Sequence, residues 1–486
     1  MRYKGSQLEE PVGMERSAVR GLMIRRTTED RRLKTKRLFA LVTLIALVVL
    51  LGFFAWFFAA MFEGEPPSLA LQPMPEFLAQ PKEFTVKAMD EKRGLRSVRV
   101  SIQQSSRDLV ILQETFPFKG FLNSDGVHHY EKKLSLDPLA LKLAQGEVEL
   151  QLQAWDYSKR GGGDGNLSVL RHKMIVDTIP PNVRALSRMH NINVGGSGLV
   201  VYQTSSDSIE SGVFVDERFF MGFPDPEHSQ RDIHHCYFAV PHDGKNQFKI
   251  RLWARDKAGN TTETSFYYHV RKKTFRQDRV EVSDRFIESL LPYFSSFYPL
   301  DAQASNVSKF LKINNDLRRE NEEAIYLLKD KTSPQRLWEG AWLRQKNSAT
   351  MARFADQRAY YYKGEKVDEK SHLGVDLASI ANSPVEASNH GRVIFADRLG
   401  IYGFTVVLDH GQGIASLYGH LSQIGVTLGQ EVKKGESLGL TGQTGLAGGD
   451  HLHFSIMVNG IYVNPIEWWD PNWIEDNVNK KLVLVQ

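Results

Sequence analysis

From Leu38 to Phe62 the chain runs twenty-five residues without a charge, LFALVTLIALVVLLGFFAWFFAAMF. A helix needs about 20 apolar residues to cross a hydrocarbon layer, so this stretch reads as a transmembrane helix. Arg31, Arg32, Lys34, Lys36 and Arg37 precede it, and Glu63 and Glu65 come after it. Positive flanks stay on the cytoplasmic side. A cleaved signal peptide has an apolar core of about 7 to 15 residues, shorter than this one. The expectation is an uncleaved single-pass anchor in the inner (cytoplasmic) membrane, with a cytoplasmic basic tail at 1–37 and everything beyond residue 62 periplasmic or otherwise extracytoplasmic.

The charge balance supports that division. Residues 1–37 hold eleven Lys/Arg against five Asp/Glu, a local +6 in a chain of formal net charge +4. The basic character is therefore confined to the membrane flank and gives no argument for nucleic-acid binding. The single cysteine, Cys236, excludes an intrachain disulfide and any thiolate-cluster metal site. Its bland reading is a buried small apolar residue. A metal in this protein has to be held by histidine and carboxylate.

After a proline-rich exit at Pro66, Pro67, Pro73 and Pro75, short alternating runs such as Val148 to Ala154 read as half-buried strands. An internal repeat divides this region. VELQLQAWD at 148–156 aligns with FKIRLWARD at 248–256, matching Leu152 with Leu252, Ala154 with Ala254 and Asp156 with Asp256. A period of this size suits two immunoglobulin-like sandwiches, at 63–178 and 179–271, with Pro180 and Pro181 at the junction. Such modules serve as spacers or as surfaces for protein partners. His234, His235 and Cys236 are neighbours on one strand; alternate faces make them poor chelators. From 272 to 345 the pattern turns helical, with Ser283 as an N-cap before Phe286, Ile287, Leu290 and Leu291. The mixed charges from Arg318 to Glu323 read as a solvated helix face.

Residues 346–475 return to glycine-rich strands and carry three histidine segments: Ser371-His372-Leu373-Gly374-Val375-Asp376, Leu417-Tyr418-Gly419-His420-Leu421 and Asp450-His451-Leu452-His453-Phe454. Strand residues two apart share a face, so His451 and His453 project together. His372 and Asp376 would lie about 13 Å apart on an extended strand, too far for one ion, so the chain must bend; Gly374 permits this. Tyr360, Tyr361 and Tyr362 precede the first segment and could border a cleft. Trp468, Trp469 and Trp473 read first as packing over a small β core.

The pattern HxGxD, then YGHL, then TGLAGGDHLHF resembles the lysostaphin/LytM-type zinc endopeptidases of family M23, over about residues 350 to 475. Asp450 stands where proline is common in that family; out of phase with His451, it should point away from the metal. The resemblance implies that His372, Asp376 and His453 bind Zn2+, that His420 and His451 are catalytic, and that the substrate is the peptide cross-link of bacterial peptidoglycan. The expected protein is mainly β: a transmembrane helix at 38–62, two Ig-like modules, a helical connector at 272–345, an antiparallel β-sheet or half-barrel metallopeptidase domain at 346–475, and a tail at 476–486. No HExxH helix occurs, so His420 and His451 stand in for the usual glutamate base. Two other classes share parts of this pattern. A non-catalytic activator of other cell-wall hydrolases usually loses metal-site residues, and this chain keeps all five. A lipoyl- or biotinyl-type carrier, suggested by Gly429 to Gly439, lacks a lysine at the hairpin tip and leaves the histidines unexplained.

Overall fold

The structure, a computed structural model, describes residues 15–226, 231–243 and 247–483. The first fourteen residues of the basic tail lie outside the described residues. Strands dominate, and the chain divides into two compact units, Met1–Thr178 and Ile179–Gln486.

The first unit opens on one helix, Glu15–Met61. Its Arg31–Met61 portion is long and apolar enough to cross a membrane, and none of that window is buried in protein. A five-stranded sheet and a three-stranded sheet come next. The run Val148 to Ala154 alternates as the sequence suggests: Val148, Leu150, Leu152 and Ala154 are buried, sharing one core with Val86 and Ala88 of the other sheet.

Within the second unit, two four-stranded sheets form from residues between Val183 and Thr264. The repeat is structural. Asp156 and Asp256, both fully buried at the ends of equivalent strands, each accept from the backbone N–H and the side-chain amide of an asparagine, Asn166 and Asn260 respectively. These sheets share a hydrophobic core with the C-terminal region. Tyr237 packs on Trp338 and Trp468, the Glu467 carboxylate accepts from Asn193 Nδ2 and Ser197 N, and Lys481 Nζ donates to Leu199 O. His234 and His235 bond separately, to Asp232 O and toward Asp225, while Cys236 is fully buried.

Ser283 caps the helix Asp284–Ser295 by accepting from Phe286 N, and Ile287, Leu290 and Phe294 form its buried face. The strand Gln277–Glu281 precedes this helix, an element that a purely helical reading of 272–345 does not contain. It pairs in parallel with Gln357–Tyr362, a distant partner that local periodicity cannot reveal. A second helical run continues Asn306–Lys312 through a π-turn, Ile313–Leu317, into Arg318–Leu327.

The C-terminal region is built on an eight-stranded antiparallel sheet with a three-stranded sheet beside it. At its centre Ile414–Leu421 pairs with Leu452–Val458, which pairs in turn with Val375–Ala378. Trp468 is fully buried against Trp338 and Trp342, and Trp469 stacks on Phe454. None of the three trailing tryptophans lines the cavity that holds His372, Asp376 and His453.

Candidate metal centre

Strand register brings the histidine segments together. Asp376 lies opposite His453, and His453 lies opposite Gly419. His372 closes the group from the turn before the Val375 strand. The atoms His372 Nε2, Asp376 Oδ1 and His453 Nδ1 stand 2.9 Å (His372–Asp376), 2.9 Å (His453–Asp376) and 3.1 Å (His372–His453) apart.

His420 reaches the same volume by another route. Thr405 of the neighbouring strand faces both Gly419 and His420, because the register jumps from Phe404↔Leu421 to Val406↔Tyr418. Such a bulge re-aims a side chain. His420 takes a left-handed φ of 60°, uncommon for a residue with a Cβ, and its ring centroid comes within 4.8 Å of His451 and 5.8 Å of His453. Gly374 has a different role from the one its flexibility suggests. It has no left-handed φ, but an added Cβ would lie 2.6 Å from the His453 ring and 2.7 Å from Phe454 O. The position needs space.

The outer hydrogen bonds fix which ring nitrogens carry protons. His372 Nδ1 donates to Arg353 O, which leaves its Nε2 lone pair facing inward. Ser455 Oγ spends its only hydrogen on Leu373 O, so it must accept from His453 Nε2, and the His453 Nδ1 lone pair faces inward too. The second oxygen of Asp376 accepts from Arg358 Nη2 at 2.8 Å. Three buried electron-pair donors thus converge with no hydrogen between them, an arrangement that repels itself unless a cation or extra protons sit within it. Donors on a tetrahedral ion with bonds of 2.0–2.1 Å lie about 3.3 Å apart, close to the spacing present. The His/Asp set is therefore compatible with a metal ion.

His420 Nδ1 donates to Thr444 O and His451 Nδ1 to Gly449 O. Both Nε2 atoms are left for the cavity, that of His451 at 3.6 Å from Asp376 Oδ1. Burial opposes charge on Asp376, yet the imidazoles of His372, His451 and His453 hold its carboxyl well below the usual range. Burial pushes His453 down to about 4 and, with the neighbouring imidazoles, His420 well below its ordinary value. For His451 the Asp376 carboxylate outweighs burial and raises the imidazole.

All five residues line one cavity of about 400 Å³. Tyr360 lines it as well, packed on Phe310, whereas Tyr361 lies under Arg279 and Tyr362 donates to Asp284. Asp450 Oδ2 accepts from Asn382 N and is no part of this set. Arg358 and Ser455 escaped the sequence reading. Each sits two residues from a cavity-facing neighbour on its strand, Tyr360 and His453, and that spacing is the signal that could have found them.

Residues 370–465 match the model of peptidase family M23. That stretch of the chain is an M23 domain. Over 95 residues it is 41% identical to the DD-carboxypeptidase/endopeptidase Mpg of Neisseria meningitidis serogroup B, covering 20% of this chain and 22% of Mpg. It is 38% identical over 96 residues to the peptidoglycan DD-endopeptidase ShyA of Vibrio cholerae, covering 20% and 22%. It is also 39% identical over 95 residues to the murein hydrolase activator EnvC of Escherichia coli, covering 20% and 23%. The chain thus matches roughly a fifth of the length of these relatives.

Proposed function

We propose that this protein is a membrane-anchored zinc metalloendopeptidase that hydrolyses peptide cross-links of bacterial peptidoglycan. The observation that carries this reading is the convergence of the His372, Asp376 and His453 lone pairs at 2.9 to 3.1 Å in a cavity that also admits His420 and His451. In this reading the first three residues bind zinc, and the other two are catalytic.

His372, Asp376 and His453 would supply three protein ligands to a zinc ion, a number that suits a catalytic rather than a structural site. Zinc held there supplies Lewis acidity, which acidifies water and polarises a carbonyl. The protein does the rest. His372 and His453 are locked in the tautomers that present a lone pair, and Arg358 holds the carboxylate of Asp376 in place. His420 and His451, each tethered through Nδ1, direct Nε2 into the cavity; between them they take the proton of the attacking water and donate to the oxyanion of the tetrahedral transition state. The names of Mpg and ShyA support a peptide-bond substrate in the cell wall. The Arg31–Met61 helix supports anchorage, with the cytoplasmic side set by the basic residues Arg31 to Arg37 at its N-terminal end.

The likeness to EnvC favours a second reading, a regulator that activates other hydrolases without catalysis. The two separate in one assay. The purified full-length chain, in detergent with zinc, should release peptides from wall fragments, lose that activity to a chelator and regain it with added zinc. Release only in the presence of a second hydrolase would favour the regulator.

A further inference from the structure

The cavity has a second wall, supplied by the segment before the M23 domain: Val280, Phe286 and Phe310 face it, and Arg318 lies among them. Its charged lining is otherwise paired. Asp278 bonds to Arg276 at 3.0 Å, Glu281 to Arg279 at 2.7 Å, and Asp376 to Arg358 at 2.8 Å. Among the described residues no carboxylate comes within 4.0 Å of the Arg318 guanidinium, although Glu322 one turn on feels its charge. Arg318 is the one charged side chain of the lining without an opposite partner at contact distance.

Its position is built. Nε donates to Asn314 O at 3.2 Å and Nη2 to Asn314 Oδ1 at 2.7 Å, while Asn314, fully buried, anchors through Nδ2 to Asp368 Oδ2 at 2.8 Å. Asn314 belongs to the π-turn, and the extra residue of such a turn rotates the later residues of the helix about its axis. The Nε–Nη2 edge of the guanidinium is thereby held by two neutral oxygens of Asn314, and Nη1 makes no hydrogen bond to the described residues. A planar cation held in this way at an apolar wall matches a carboxylate, which it can bind through charge-assisted hydrogen bonds.

We propose that Arg318 receives a carboxylate of the substrate peptide, terminal or side-chain, and so selects acidic peptides for the metal centre. The proposal rests on the hydrolase reading for its substrate, though its test does not need turnover. Hydrogen bonds to a charged group support a preference of about ten- to a hundredfold.

Calorimetric binding to the zinc-loaded full-length chain, repeated with chelator, would use N-acetyl-D-alanyl-D-alanine against its C-terminal amide. A second pair, N-acetyl-D-glutamyl-D-alanine amide against its glutaminyl counterpart, separates a side-chain carboxylate from a terminal one. The acid of at least one pair should bind about ten- to a hundredfold tighter, Arg318→Gln should bring that pair to parity, and Arg318→Lys should keep part of the preference. Absence of preference in the wild type would overturn the proposal even if Arg318→Gln fails to fold. So would a preference untouched by Arg318→Gln, or one that vanishes with chelator because the metal held the carboxylate. Failure of the zinc-loaded chain to cleave wall fragments would sink the hydrolase reading and leave this preference standing.

Discussion

Ser455 accepts a hydrogen bond from His453 Nε2 at 3.0 Å because its own hydrogen goes to Leu373 O, and this fixes the tautomer of the histidine two residues before it. Loss of an outer partner of a metal-bound histidine typically costs about 10- to 100-fold in affinity. Ser455→Ala should weaken zinc binding by that factor, measured against a competing chelator, with little change in the far-ultraviolet circular dichroism spectrum. Unchanged affinity would remove Ser455 from the site.

Gly374→Ala should be far more damaging than an ordinary glycine-to-alanine change. The new methyl would meet the His453 ring at 2.6 Å and a backbone oxygen at 2.7 Å, so the ring or the backbone has to shift. Overpacking of this kind costs about 1 to 3 kcal/mol, and here it also displaces a ligand. Lower melting temperature together with lost zinc is the expected result. A variant with full zinc content would show that the strand can move.

His453→Ala and His420→Ala should differ in kind. His453 contributes an inward-facing donor atom, whereas His420 approaches from the bulge with its ring 5.8 Å from that of His453. The first variant should lose zinc and activity together, and the second should lose activity while keeping most of its metal. Equal loss of metal would mean that the roles are wrongly divided.

Burial pushes Lys481 down to about 8 from its ordinary value of 10.5. A lysine lowered in the folded state carries its full penalty below pH 8, where it is charged both folded and unfolded. Between about pH 8 and 10.5 the folded chain sheds the proton first, so stability should rise with pH, by up to about 3 kcal/mol. Melting curves from pH 7 to 10 should show this gain in the wild type and not in Lys481→Met. Parallel curves would place the lysine head group in water.

The convergence of the histidine segments was legible because they form short motifs and because strand periodicity puts His451 and His453 on one face. The cap at Ser283 and the strand through Val148 to Ala154 were legible for the same local reason. The features that escaped depend on contacts between distant segments. Arg358 reaches Asp376 across eighteen residues, the Gln277 strand pairs with one eighty residues on, and Arg318, read as part of a solvated face, lies in the cavity because a π-turn re-aims it. Only Arg319 and Glu323 of that charged run form the exposed pair such a reading implies. The bulge at His420 is likewise set by strand register, which no local pattern encodes.

The most direct test of the account is the metal content of the purified full-length chain and of Asp376→Ala, measured by elemental analysis after dialysis against trace zinc. The account predicts one zinc ion per wild-type chain and almost none in the variant. Equal zinc in both proteins, or none in either, would contradict it.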